Sequence, residues 1–453
     1  LAAAGRRVIL IEDNHQAGGQ YFRQLPPTYR VASDARLLRE TGRYKDLSQV
    51  LAHPLVSFWP STVAWGAPGP LTLAYAGSKA SGRVQAQAIV IATGAQDKPF
   101  PFTGWTLPGV MSAGGCLNLA KAHGLVPAGR VVVAGNGPLV LVAGATLAAA
   151  GAQVSHVIEA QPSGKLAAAA LRGLTSFPKL LFKGMGYRVR MMRDGAQFMS
   201  GWMVTQARGD GGLQQVSIAP VAKDGTPDHS RQRSLQADTL VLGYGLLPGI
   251  EFARMMGCRI VPDASLGGWV PERSERLETS VSGVYAIGDG AGIGGVEVAL
   301  LEGEQAAQSI LGHTGKPGVS RRYRRVDAFR RALNMGYQPA RPLRAAEDGT
   351  IVCRCEELTL GELRAHLANC DASLDTLKIG TRLGMGRCQG RNCLTSVAAL
   401  CGLDDTKTEA LAYPRVRPPV RPVPLQYMAA DMHVGPAHEP DEINLFAPKE
   451  TTT

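Results

Sequence analysis

Cysteine is nearly absent from the first three quarters of this chain. The sequence holds 8 cysteines in 453 residues, and only Cys116 and Cys258 precede residue 353. A secreted disulfide framework would spread its cysteines over a small domain, so that class is excluded. The late clustering points instead to a reduced, cytosolic metal site. No signal peptide is visible. Aromatics make up only 6% of the residues, and no Arg/Lys run carries interleaved aromatics. Nucleic acid is therefore not an expected partner, despite a formal charge of +11. Long unbroken apolar runs are missing too. The best candidate, Val131 to Ala152, contains Gly135, Asn136, Gly137 and Pro138. It reads as a strand, a glycine turn and a buried helix rather than a membrane span. The 9 histidines are scattered, and no catalytic acid, base or nucleophile is assigned.

A chain this long holds two or three domains. The 54 glycines suit a fold with many strand-to-helix turns. The front end reads as the last turn of a helix with a glycine cap at Gly5, then the strand Val8-Ile9-Leu10-Ile11 ending in Glu12. An acid in that position of a dinucleotide fold bonds ribose hydroxyls. The glycine fingerprint should lie roughly 20 residues earlier. It is not in the sequence, nor is an initiator Met, so the chain is expected to be truncated at its N-terminus. A strand that merely ends in Glu remains the plain reading of Glu12 alone.

Further signals follow in register. Gly18-Gly19-Gln20 is a turn whose backbone can approach a phosphate. Ala88 to Gly94 is an apolar strand ending in the small-residue turn Ala92-Thr93-Gly94. Near residue 285, Val284-Tyr285-Ala286-Ile287 leads into Gly288-Asp289. A second unit begins at Val131, where Gly135-Asn136-Gly137-Pro138 gives the first two glycines of a dinucleotide turn. Val140 stands at the third position and would hold helix and strand slightly apart. The strand Val154 to Ile158 ends at Glu159, which suits an unphosphorylated ribose, hence NAD(H) or another adenine nucleotide. Two readings of this second site stay open: a working nucleotide site, or a degenerate one that is structural or empty.

The strongest signal is Cys353-Arg354-Cys355 followed by Cys388-Gln389-Gly390-Arg391-Asn392-Cys393. Four thiolates neutralise ferric charge, and two tight pairs suit a two-iron cluster. Glycines around the second pair free backbone N–H groups to point at sulfur. Structural zinc prefers wider C-x2-4-C spacing, so zinc is the lesser reading. Cys370 and Cys401 fall outside both pairs and are expected in the core.

In order and spacing, the front segments resemble the two-dinucleotide-binding flavoproteins, which include the pyridine-nucleotide disulfide reductases. That resemblance implies an α/β, Rossmann-like fold and FAD. The Ala92–Gly94 turn would lie beside the flavin, and Asp289 would bond the ribityl chain. The close cysteine pair of the disulfide reductases is missing, so that activity is not expected. The cysteine segment resembles the bacterioferritin-associated-ferredoxin type of [2Fe-2S] domain, a small helical unit. With Gly384 to Cys393, Pro99 to Gly115 and Arg415 to Leu425 included, nearly the whole chain resembles a multi-subunit family. Its members are the A-subunit of opine oxidase, the B-subunit of hydrogen cyanide synthase and the α-subunit of multimeric proline and hydroxyproline dehydrogenases. The resemblance implies a D-amino-acid-oxidase-like β subunit that oxidises an amine, and it allows a small ferredoxin-like subunit. This chain would then be an electron-transfer subunit. A stand-alone NADH-dependent ferredoxin-type reductase and a non-catalytic assembly platform are the rival readings. Without the first glycine turn, FAD is expected to be held weakly.

The expected domains are a split FAD-type domain (1–125 and 268–330), an inserted second nucleotide domain (126–267), a [2Fe-2S] domain (348–405) and a Pro-rich tail (406–453). The stretch Lys165 to Arg193 mixes apolar and basic residues. It reads either as a solvated basic helix face or as a surface for a partner or an anionic membrane. The expected location is cytoplasmic, with peripheral contact at the inner membrane as the second option.

Overall fold

The computed structural model describes residues 1–23, 25, 47–77, 80–164, 178–313, 317–337, 340–369, 373–401 and 414–432. Its centre is a five-stranded parallel sheet. In spatial order the strands are Gln197–Ser200, Gln153–Glu159, Arg130–Gly135, Thr239–Gly243 and Val110–Ser112. Two of these strands are apolar runs buried along almost their full length, as a sheet covered on both faces requires. Chain order reverses beside Arg130–Gly135, and open parallel sheets bind ligands at such a point.

The turn after that strand explains two glycines. A Cβ on Gly135 would strike the Gly243 carbonyl and lie 2.7 Å from Val140 Cγ2. Val140 itself is fully buried. Its methyl therefore fills room left by Gly135, and the expected spacing of helix from strand finds its physical answer there. Gly144 serves the next layer, because a Cβ on it would lie 2.9 Å from Met191 Sδ. Met191 belongs to the Pro178–Arg193 helix, which packs on the Pro138–Ala149 helix.

The FAD-type segments form two separate two-stranded parallel sheets. Val8–Ile11 pairs with Val56–Trp59, and Ile89–Ile91 pairs with Val284–Ala286. The second is less buried than its apolar sequence suggests, with Val90 37% exposed. A three-stranded antiparallel sheet, Thr62–Gly69 with Thr72–Gly77 and Ser81–Gln85, adjoins Val8–Ile11, and a second, Trp202–Arg208 with Gln215–Pro220 and Arg233–Gln236, packs on the five-stranded parallel sheet. The cysteine segment is a short hairpin followed by helices Leu360–Leu367, Leu374–Thr381 and Leu394–Leu400. Thr359 and Glu362 form a reciprocal capping box at the first helix. Leu360, Leu363, Leu374, Leu377 and Leu383 make its core.

The described part of the Pro-rich tail lies across other elements. Val420 N–H donates to the Trp65 carbonyl (3.0 Å), and the Pro414 carbonyl accepts from Arg254 (2.9 Å). Cys116 and Cys258 are buried, and Cys401, expected in the core, is half-buried. Cys370 and residues 165–177 lie outside the described residues.

One buried carboxylate ties the back of the fold together. Glu302, fully buried, accepts from Gly288 N–H (2.7 Å), Tyr323 (3.0 Å), Arg273 (3.1 and 3.3 Å) and Arg330 (3.2 Å). Both guanidiniums are themselves buried. Removing one partner of such a network strands the others without solvent, at a cost of about 3–5 kcal/mol. Glu302→Ala should therefore lower unfolding stability by that amount in urea titrations. A change below about 1 kcal/mol would show that the network contributes little.

Candidate functional site

The first cluster of expected residues gathers around two turns. Ile287 N–H donates to the Ile91 carbonyl (3.0 Å), which places Ala92–Gly94 beside Gly288–Asp289. A Cβ on Gly290 would sit 2.9 Å from Thr93 Oγ1 and 3.1 Å from the Gly94 carbonyl. Only a glycine allows that approach. Thr93 Oγ1 donates to the Gly249 carbonyl (2.7 Å), and Gly249 N–H donates back to Gly94 (2.9 Å). Asp289 Oδ1 accepts from Gly294 and Gly295 N–H (2.8 and 2.7 Å), at the start of the Gly295–Ile310 helix. The carboxylate thus holds the helix N-terminus, where negative charge is favoured.

Glu12, Gly18, Gly19 and Gln20 stand with the other two-stranded sheet. The Glu12 carboxylate accepts from Asn14 Nδ2 (2.6 Å) and Asn14 N–H (3.1 Å), and burial raises its pKa. Gly18 takes φ +122°, and a Cβ there would meet Phe22 Cβ at 2.7 Å. Gly19 and Gln20 are exposed.

The second cluster lies at the switch point of the parallel sheet. Asn136 N–H donates to the Gly243 carbonyl (2.9 Å), and Gly137 adopts φ +115° before Pro138 opens the helix. Both Glu159 oxygens lie 3.4 Å from Gly137 N–H. Burial pushes the Glu159 pKa up to about 8, against the donors Gln161, Gly137 and Ala160. Tyr244 is also buried and Tyr337 half-buried, and the Glu159 charge adds to the burial that raises both phenols. Sequence reading misses these two tyrosines. No spacing rule links Tyr337 to Glu159; the fold alone brings them together.

The third cluster is the cysteine set. The sulfurs contact one another across the two turns: Cys353 with Cys393, and Cys355 with Cys388. Cys353 is lowered to about 5, first by the thiol of Cys393 and then by N–H groups of Gly384, Glu356 and Cys355. Cys393 is raised, chiefly by Cys353 and by burial. Burial raises Cys388, which receives N–H groups from Asn392 and Gly390. A Cβ on Gly386 would overlap Cys355 Cβ, so glycine is needed for the turns to meet. Among the described residues, no three or more His, Cys, Asp or Glu side chains form a group that could hold one metal ion.

This unit is fastened to the nucleotide-binding part by polar contacts. Trp105 Nε1 donates to the Ile351 carbonyl (2.7 Å), Thr103 meets Thr350 (3.1 Å), and Ser396 donates to the Pro99 carbonyl (3.4 Å). Arg391 pairs with Glu251 (3.0 Å) and donates to the Val420 and Cys388 carbonyls, while its own carbonyl accepts from Gln96 (3.2 Å). In the sequence Arg391 reads only as part of a glycine-rich turn.

The amphipathic stretch is a helix over Pro178–Arg193, with Phe182, Met185, Val189 and Met192 exposed and Met191 buried. No helix among the described residues is long and apolar enough to cross a membrane.

The glycine turns, the parallel sheet and the paired two-stranded sheets define a two-nucleotide flavoprotein fold. The chain belongs to the pyridine nucleotide-disulphide oxidoreductase family, matched over residues 1–307, and forms part of an oxidoreductase. It is similar to the A-subunit of opine oxidase from Rhizobium meliloti strain 1021, at 35% identity over 95% of this chain and 94% of that protein. It is 31% identical to the hydrogen cyanide synthase component HcnB of Pseudomonas aeruginosa, over 87% of each chain. Among solved structures, L-proline dehydrogenase of P. horikoshii shares the fold, with a TM-score of 0.62 and 18% identity, covering 93% of this chain and 74% of that one.

Glu159 gives a test of this geometry. Its folded pKa of about 8 exceeds the ordinary 4.5, so the folded state binds the extra proton. Stability from this group is complete below pH 4.5 and is lost as pH rises towards 8. Urea titrations from pH 5 to about 9 should show that decline, and Glu159→Gln should flatten it. An identical slope in the variant would mean that Glu159 titrates normally.

Proposed function

We propose that this chain is the nucleotide- and [2Fe-2S]-binding electron-transfer subunit of a hetero-oligomeric, flavin-dependent amino acid or opine dehydrogenase. In this reading the chain divides into a split FAD-type domain (1–125 and 268–330), an inserted nucleotide domain (126–267), a [2Fe-2S] domain (348–405) and a tail (406–453). Amine oxidation itself belongs to a D-amino-acid-oxidase-like partner, and the complex works in the cytoplasm. The names of the relatives, components of opine oxidase and hydrogen cyanide synthase, support a multi-subunit setting.

The observation that carries this reading is the cysteine set. Four thiols from two turns meet in two cross-turn pairs, with backbone N–H groups aimed at Cys353 and Cys388. Three ligands about one ion is not the geometry of a two-iron site, in which each iron takes two protein thiolates. Cys353, Cys355, Cys388 and Cys393 would hold such a centre, which supplies a one-electron couple. The aimed N–H groups stabilise negative charge on sulfur and so favour the reduced form.

Asp289, Glu12 and the glycine turns at Gly18–Gln20 and Ala92–Gly94 would hold FAD. Gly135, Asn136, Gly137, Pro138 and Glu159 would hold NAD(H) or another adenine nucleotide. The assembly platform, in which the second site holds its nucleotide structurally or stays empty, is the second reading.

Anaerobic purification with iron and sulfide analysis and EPR tests the proposal. Two irons and two sulfides per chain are expected, with a signal on reduction that Cys388→Ser abolishes. Gly386→Ala should also lower iron content, because its methyl displaces Cys355. Zinc without sulfide would overturn electron transfer and leave the platform.

A further inference from the structure

The cysteine site has two unlike sides. Cys353 and Cys393 are each 1% exposed, whereas Cys355 is exposed and Cys388 half-buried. The buried side is fastened inward. Cys353 closes the strand Ile351–Cys353, whose Ile351 carbonyl takes the Trp105 indole N–H. Cys393 opens the helix that carries Ser396 to the Pro99 carbonyl. Beside Cys388, Arg391 N–H donates to the Cys388 carbonyl (3.2 Å), and the Arg391 carbonyl accepts from Gln96. Gln96 lies two residues beyond the Ala92–Gly94 turn. A short covalent and hydrogen-bonded path therefore joins that turn to Cys388.

The open side is different in chemistry. Each of its cysteines follows an exposed arginine, Arg354 before Cys355 and Arg387 before Cys388. A third exposed arginine, Arg382, pairs with Glu356 (2.7 Å). That pairing neutralises Glu356, and Glu357 is the remaining exposed acid of the same turn. Ile379, on the helix leading to Arg382, is 79% exposed. Arg354 also lies over the Trp105 ring (5.5 Å), which fixes its position. Exposed sulfur, surplus guanidinium charge and an apolar side chain together make a rim suited to brief docking by an acidic surface.

The geometry points to the Cys355–Cys388 edge as the electron exit of the chain, docking a one-electron carrier protein whose contact face is acidic. The inference rests on the cluster reading above. A centre held by Cys353, Cys355, Cys388 and Cys393 would supply a one-electron couple at this edge: it would lose one electron as the carrier gains one, with no bond made and no proton moved. Two such passages clear the electron pair removed from an amine.

The test uses the full chain, purified without oxygen and reduced. Stopped-flow absorbance follows its oxidation by cytochrome c, a basic carrier, and by the same cytochrome with its lysines succinylated, now acidic. At low ionic strength the succinylated form should react about tenfold faster, and the gap should close near 0.5 M salt. Arg387→Glu, with unchanged iron and sulfide, should shrink the gap at least threefold. Equal rates for both cytochromes, or a gap untouched by Arg387→Glu, would place the exit elsewhere and leave the cluster reading intact. Absence of iron and sulfide in the unaltered chain would remove the cluster reading and this inference together.

Discussion

The structure depends on how it buries charge at Glu302. A carboxylate with no solvent is costly unless every lone pair is met by a donor. Here the donors come from separate parts of the chain: Arg273 after a strand end, Tyr323 and Arg330 on one helix, and the backbone of Gly288. Satisfying the charge therefore fixes where the Gly288–Asp289 turn stands. Arg330 extends the network to Asp327 (2.6 Å) and to the Gly292 carbonyl (3.2 Å). Arg331 extends it again, to Asp327 and Asp263. The Gly288–Asp289 turn is thus held from behind by electrostatics, while its front is shaped by small residues that permit the close approach of Thr93 and Gly94.

The cysteine unit is held by different physics. Its core of leucines is its own, and its junction with the nucleotide-binding part is mainly polar. Arg391 is the hinge pin of that junction. One guanidinium reaches Glu251, the tail at Val420 and the Cys388 carbonyl, so three segments distant in sequence share one side chain. Planar, multidentate donors suit such a meeting, and lysine could not replace it geometrically.

Much of this was legible in the sequence because the signals are local. The strand–glycine–helix run at Arg130 to Ala149, the Glu159 strand end and the two cysteine turns each follow from residue type and spacing alone. What was not legible depends on neighbours far away in sequence. Val140 reads as a spacer, yet its methyl sits in the room left by Gly135 against Gly243. Gly144 admits Met191, whose sulfur stands 2.9 Å from where a Cβ would lie. Tyr337 and Arg391 carry no motif, because their partners are set by the fold. The apolar Ala88 to Gly94 run promises a buried strand, but only Ile89 and Ile91 are buried in it, on one side of a two-stranded sheet.

The two nucleotide regions treat their acids alike and for a physical reason. Asp289 and Glu159 each accept backbone N–H groups at the start of a helix, where partial positive charge gathers. An incoming phosphate seeks the same groups. At Gly137 that competition is eased by burial, since a Glu159 pKa near 8 leaves the group largely protonated at neutral pH. A phosphate approaching Gly137 N–H then meets a neutral carboxyl rather than a second anion. Above pH 8 the balance reverses, and carboxylate and phosphate repel each other at one helix end. Burial thereby keeps Glu159 from opposing a second anion at that helix end.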